Sequence, residues 1–176
     1  MNNTQPFEAT ILLVDDDVDL LELIKETIED DFSSVLTTDR ATAALELIKS
    51  KKIDCVVTDY RMPEMSGLAL IEYITQNHPE IPIILLTSNG SDPEVINAIE
   101  TGLFDYVSKP FKAPVLLNRI RNALLLPRLE SLIYDLAKTV APDVSIDGTL
   151  TGSYQEKLET FLKIEKQIKP RISLKK

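Results

Sequence analysis

Short apolar runs alternate with stretches in which apolar residues recur at helical spacing over the first two-thirds of the chain. Thr10–Val14, Ser34–Thr38, Ile53–Thr58, Pro82–Leu86 and Leu103–Val107 read as strands, with the apolar run Ile53–Val57 that of a buried one. Between them, Val18–Glu29 repeats Leu21, Ile24 and Ile28 on one helical face. Arg40–Ser50 carries Ala44, Leu45, Leu47 and Ile48, with Asp39 placed as its N-cap. Gly67–Asn77 carries Leu68, Ile71 and Ile74. Asp92-Pro93 reads as an N-cap followed by proline at the first helical position, opening Glu94–Glu100, and Gly102 stops that helix. A last helix of this series runs from Pro114 to about Leu126.

Strands separated by helices predict parallel strand–helix–strand units with right-handed crossovers. The expected fold is α/β: a flavodoxin-like, doubly wound, five-stranded parallel sheet in the order 2-1-3-4-5, with a helical C-terminal extension. In such sheets ligands bind at the carboxyl ends of the strands, near the switch point between the first and third.

The extension is less patterned. Pro127 is expected to break or kink the preceding helix. Leu129–Val140 predicts one more amphipathic helix, Ala141–Ser153 a turn-rich linker, and Tyr154–Lys169 a final helix. The chain divides on this reading into residues 8–125 and an extension, 126–176, of unknown role.

Charge sharpens the division. Residues 1–125 hold 21 acidic against 10 basic residues, and residues 126–176 hold 7 against 9. An acidic globular part argues against direct nucleic-acid binding. The basic tail lacks interleaved aromatics, so a solvated helix face is the plainer reading. The single cysteine, Cys55, lies inside a strand run and reads as core. The N-terminus shows no signal-peptide pattern and no apolar stretch is long enough to span a bilayer, so no membrane insertion and a cytoplasmic location are expected.

The chemistry gathers at the strand ends. The first strand runs into Asp15, Asp16 and Asp17, and the third into Asp59, followed by the turn Arg61-Met62-Pro63-Glu64-Met65-Ser66-Gly67. Carboxylates aimed at one place repel, which suggests a cation site. Mg²⁺ suits hard oxygen ligands that leave room for water and a phosphate oxygen. Thr87 and Lys109 close the fourth and fifth strands at the same edge. Lys109 can neutralise a carboxylate or grip an anion, Lys109-Pro110 is a candidate cis peptide bond, and Thr87 offers a hydroxyl. An aspartate beside Mg²⁺ and a lysine is a plausible nucleophile for phosphoryl transfer, giving an aspartyl phosphate.

Each residue alone has a plainer reading. Asp15–Asp17 could serve a helix N-terminus, as Asp17 is expected to do, and Asp59 a turn. His78, beside Pro79 in an expected turn, reads as a surface residue and stands outside the constellation. Thr87 could be a buried hydroxyl, Tyr106 a half-buried strand aromatic and Lys109 a solvated loop residue. Their joint placement at one sheet edge reverses the balance.

Leu13-Val14-Asp15-Asp16, Asp59-x-x-Met62-Pro63-x-Met65-x-Gly67, Leu86-Thr87 and Asp105-Tyr106-x-x-Lys109-Pro110-Phe111 stand in order at fitting spacing. In these motifs, over about residues 8–125, the chain resembles the receiver domain of two-component response regulators. The resemblance implies that Asp59 accepts a phosphoryl group from a phosphohistidine on a histidine kinase or phosphotransfer protein. It implies direct Mg²⁺ ligation by Asp16, Asp59 and the backbone carbonyl of Arg61, with Asp15 helping through water. Thr87 and Lys109 would contact phosphoryl oxygens, and Tyr106 would be the switch aromatic. The kinase would dock around Val18–Glu29 and Pro114–Leu126. A downstream protein or a second copy would bind the face of the fourth helix, fifth strand and fifth helix. Ser88 departs from the alanine common there and is small enough to admit the phosphoryl group. Asn89 and Arg61 flank the site and are expected to influence the lifetime of the acyl phosphate.

On this reading the chain is a phosphoacceptor switch, not an enzyme beyond slow self-catalysed phosphotransfer and dephosphorylation. The alternatives are a phosphorylation-independent interaction module, or the N-terminal part of a longer regulator with its effector domain missing; Pro170 and the polar ending tilt the reading toward a terminus. Two enzyme readings are weaker. A phosphoaspartyl hydrolase wants a second aspartate where Arg61 stands. A flavin binder wants a Ser/Thr/Gly-rich phosphate loop where the three aspartates stand.

Overall fold

The computed structural model describes residues 6–140. Eleven elements alternate in order: β1 (Phe7–Val14), α1 (Val18–Ile28), a short 3-10 turn (Glu29–Asp31), β2 (Phe32–Thr38), α2 (Ala41–Ser50), β3 (Cys55–Asp59), α3 (Gly67–Asn77), β4 (Ile83–Thr87), α4 (Pro93–Thr101), β5 (Asp105–Ser108) and α5 (Ala113–Val140). The sheet is wholly parallel, in the order β2-β1-β3-β4-β5 that the alternating pattern predicts.

The near-continuous apolar runs of β1, β3 and β4 follow from burial on both faces, whereas the edge strands β2 and β5 are half-exposed and more polar. Alternate residues of β1 divide between two cores. Leu12 and Val14 pack with Ala44 and Ile48 of α2, Leu70 and Ile74 of α3, and Val95 and Ala98 of α4. Ile11 and Leu13 pack on the other face with Leu21, Ile24 and Ile28 of α1 and with Leu116, Ile120 and Ala123 of α5. Each fully buried leucine or isoleucine contributes roughly 1.5–3 kcal/mol relative to exposure. A one-residue slip of β1 would exchange the two cores and misdirect its terminal aspartates.

The chain divides into two units, Met1–Leu124 and Leu125–Lys176, and the sheet lies wholly within the first. Of the second unit, the described part is the continuation of α5 to Val140.

Several boundaries move. Asp39 is not the cap of α2: Arg40 occupies that position, extended and without a side-chain bond, and its carbonyl accepts from Ala44 N–H. The Asp39 carboxylate instead lies 3.7 Å from the Arg40 guanidinium. β5 begins at Asp105 rather than Leu103, because Leu103 N–H closes the end of α4 on Ala98 O. Leu70 joins the buried face of α3, whereas Leu68 is half-buried. Pro127 does not end α5, and Leu129–Val140 is not a separate helix. Proline forfeits one N–H, and the helical ladder continues on both sides of it. The expected linker Ala141–Ser153 and helix Tyr154–Lys169 lie outside the described residues.

Candidate phosphoacceptor and metal site

β1 and β3 are neighbours in register, Val14 opposite Thr58, so the residues that follow them leave the sheet side by side. Asp15, Asp16 and Asp59 each bring a carboxylate oxygen within 4.8 Å of the others. Asp15 and Asp59 are buried and Asp16 is exposed. Asp17 stands apart. Its carboxylate accepts from Leu20 N–H at 3.0 Å and caps α1, as expected from its position.

Lys109 joins the cluster from the end of β5. Its Nζ lies 2.6 Å from Asp15 Oδ2 and 2.5 Å from Asp59 Oδ1. The remaining carboxylate oxygens are held by backbone: Asp17 N–H donates to Asp15 Oδ1 at 3.0 Å, and Arg61 N–H donates to Asp59 Oδ2 at 2.7 Å. The Lys109–Pro110 bond is cis.

Three carboxylates and one ammonium leave two negative charges in this pocket. Burial pushes the Asp15 carboxyl above its ordinary value, against the hydrogen bonds from Lys109 and from Asp17 N–H. For Lys109, burial pulls the ammonium down, but the two aspartates outweigh it and the net shift is upward. The causes differ, burial for the aspartate and the neighbouring carboxylates for the lysine, but both shifts favour the protonated form and so additional positive charge in the pocket. A proton can supply it, and so can a divalent cation. Hard, partly buried oxygen donors with one exposed carboxylate fit Mg²⁺ with water completing its shell.

Thr87 is buried at the end of β4. Its Oγ1 accepts from Asn89 N–H at 3.1 Å, and its carbonyl accepts from Lys109 N–H at 2.7 Å. That bond ties the backbone of the threonine to that of the lysine. Tyr106 is half-buried on β5 and packs on the core beneath α2–α4. A Cβ added to Gly90 would come within 2.5 Å of Tyr106 Cε2, so the β4–α4 loop needs glycine there to pass the ring. Arg61, whose carbonyl was singled out in the sequence, is exposed and sits one turn of loop beyond Asp59.

The sequence motif contains Gly67 but not its reason, and a second feature escapes local pattern altogether. A Cβ on Gly67 would stand 1.9 Å from the Asp59 carbonyl oxygen, so the start of α3 closes against the Asp59 backbone only with glycine. The fixed turn Met62-Pro63 before it was the available signal. Tyr60 Oη donates to Glu94 at 2.5 Å, across a separation of 34 residues that no local signal registers. That bond is the leading reason the Tyr60 hydroxyl is pushed up to about 12.

The model of the response regulator receiver domain matches residues 11–121. The chain belongs to the response regulator receiver family. The transcriptional regulatory protein GlrR of Escherichia coli (strain K12) is 36% identical over 116 residues, covering 66% of this chain and 26% of GlrR. The response regulator protein TmoT of Ectopseudomonas mendocina is 34% identical over 161 residues, covering 92% of this chain and 67% of TmoT. A receiver domain from Clostridium thermocellum superposes with a TM-score of 0.64 at 35% identity, covering 69% of this chain and 98% of that one. The chain spans about a quarter to a third of the length of the first curated relatives it matches. The five-stranded receiver sheet thus carries the acidic pocket at its carboxyl edge, and no helix among the described residues is long and apolar enough to cross a membrane.

Proposed function

We propose that this receiver domain is a phosphoacceptor switch with Asp59 as the acceptor. The observation that carries the reading is the bridging of Asp15 and Asp59 by the Lys109 ammonium, with Asp16 completing a pocket open on one side. A carboxylate so placed is held, desolvated and oriented for attack.

In the proposed reaction an Asp59 carboxylate oxygen attacks the phosphorus of a phosphohistidine. An oxygen–phosphorus bond forms, the nitrogen–phosphorus bond breaks, and its electron pair stays on the imidazole, which takes up a proton. Lys109 transfers its contact from the Asp59 carboxylate to a phosphoryl oxygen. Thr87 turns its hydroxyl from Asn89 N–H to another phosphoryl oxygen. Asp15, Asp16, Asp59 and the Arg61 carbonyl would hold Mg²⁺, whose charge would offset that on the phosphoryl oxygens.

The switch follows from the same contacts. Drawing Thr87 toward the phosphoryl group vacates space near Tyr106, which turns inward. The α4–β5–α5 face then changes shape for a downstream protein or a second copy. The donor is a histidine kinase or phosphotransfer protein docking beside α1 and the start of α5, in a cytoplasmic setting. The names of the relatives support transcriptional control as the output class, through effector segments of their own.

The test is intact mass after incubation with Mg²⁺ and acetyl phosphate. The account expects a gain of one phosphoryl group in the wild type and none in Asp59→Asn or with the metal chelated. A wild type that binds Mg²⁺ and stays unmodified overturns the switch in favour of a phosphorylation-independent interaction module.

A further inference from the structure

The Tyr60 to Glu94 hydrogen bond joins two segments that the proposed switch must coordinate. Tyr60 lies between Asp59 and Arg61. Its backbone is fixed on both sides: its N–H donates to Leu86 O at 2.9 Å, and its carbonyl accepts from Gly67 N–H at 3.0 Å. Arg61 returns its own N–H to Asp59 Oδ2, and its guanidinium lies 5.7 Å from the centre of the Tyr60 ring. At the far end, Glu94 belongs to the first turn of α4. Its N–H is bonded to the capping carboxylate of Asp92 and its side chain is bonded to Tyr60. A displacement of α4 therefore pulls on the residue between the acceptor and the Arg61 carbonyl.

We propose that Tyr60 is a positioning residue, and that its hydroxyl bond to Glu94 is a latch holding the acceptor loop in register with the start of α4. Where the pocket is occupied by a cation, the latch keeps the Asp59 carboxylate and the Arg61 carbonyl in a fixed relation. Where α4 moves, the latch transmits that motion to the site, and a change at the site is transmitted to α4 by the same bond, because coupling is reciprocal. The inference rests on the phosphoacceptor reading for its purpose, but not for its existence.

The test uses the full chain in two measurements. The first is hydrogen exchange of the Arg61 and Gly67 amides without metal or phosphoryl donor. Tyr60→Phe and Glu94→Ala should each speed exchange about fivefold, the effect of losing one charge-assisted bond at a partly solvated site. The double variant should add nothing to either single, and Glu94→Gln, which keeps an acceptor oxygen but loses the charge, should fall between wild type and Glu94→Ala. The second is Mg²⁺ binding by calorimetry, with a loss of about three- to fivefold in affinity for Tyr60→Phe and Glu94→Ala alike. Unchanged exchange in Tyr60→Phe, or fully additive effects in the double variant, overturns the latch. If Mg²⁺ fails to bind the wild type, the metal reading fails and the exchange data alone decide the latch.

Discussion

Replacing Lys109 with methionine removes the ammonium that bridges Asp15 and Asp59, and keeps most of the side-chain volume. The two carboxylates are 2% and 11% exposed and the lysine 23%, so solvent screens the group weakly. At an effective dielectric of 20, each pair with charge centres about 4 Å apart contributes roughly 4 kcal/mol of attraction. The opposing cost is burial of the ammonium, and the variant can also relieve itself by taking up a proton on Asp15. The net loss at neutral pH without divalent cation is then about 2 kcal/mol, below the roughly 3–5 kcal/mol of a fully broken buried ion pair because a proton on Asp15 relieves part of it. Urea denaturation in chelator should show a midpoint about 1 M lower for a slope of about 2 kcal/mol per molar. Two further signs belong to the same argument. Acidification should narrow the gap, because protons neutralise the orphaned carboxylates, and Mg²⁺ should restore the larger part of the loss, because the variant pocket carries one more negative charge. A midpoint equal to or above wild type at neutral pH would refute the claim that Lys109 offsets the carboxylate cluster.

Gly67→Ala should destabilise by about 2–3 kcal/mol in the same denaturation assay, since its Cβ would overlap the Asp59 carbonyl at 1.9 Å and the backbone must yield. Acidification should weaken Mg²⁺ binding from a pH above that of an ordinary carboxylate, because the proton competing for Asp15 is held more tightly than at the usual 3.8; calorimetry across pH 4–7 reads this out. Without metal, the raised Asp15 value means that the fold favours the protonated acid. This group's contribution to stability is therefore largest below 3.8 and declines as pH rises through the window above it, whereas the raised Lys109 value contributes stability that persists until pH passes 10.5.

The strands were legible because helical stretches separate them, and because burial on both faces writes the central strands β3 and β4 as apolar runs that give way to polar residues at their carboxyl ends. Val14 to Asp15 and Thr58 to Asp59 mark that change directly. The same alternation puts Asp15, Asp16, Asp59 and Lys109 at one sheet edge, and the structure brings their charged atoms together. Boundaries were less legible, because backbone partners from elsewhere decide them. Leu103 looks like a strand residue until Ala98 claims its N–H. Asp39 has the chemistry of a cap, but the helix starts one residue later, with Arg40 extended. Pro127 has the chemistry of a breaker, but a helix can lose one bond and continue. Contacts such as Tyr60 with Glu94 lie beyond local pattern altogether, since both residues look like ordinary surface positions until β3 and α4 are placed.

The central claim is that Asp59 itself carries the phosphoryl group, and reductive trapping tests it most directly. After incubation with Mg²⁺ and acetyl phosphate, borohydride reduces an aspartyl phosphate to homoserine, and peptide masses locate the converted residue. The account predicts conversion at residue 59 alone, lost when the metal is chelated. Conversion at Asp15 or Asp16 with residue 59 intact, or no conversion in a protein that binds Mg²⁺, would contradict it.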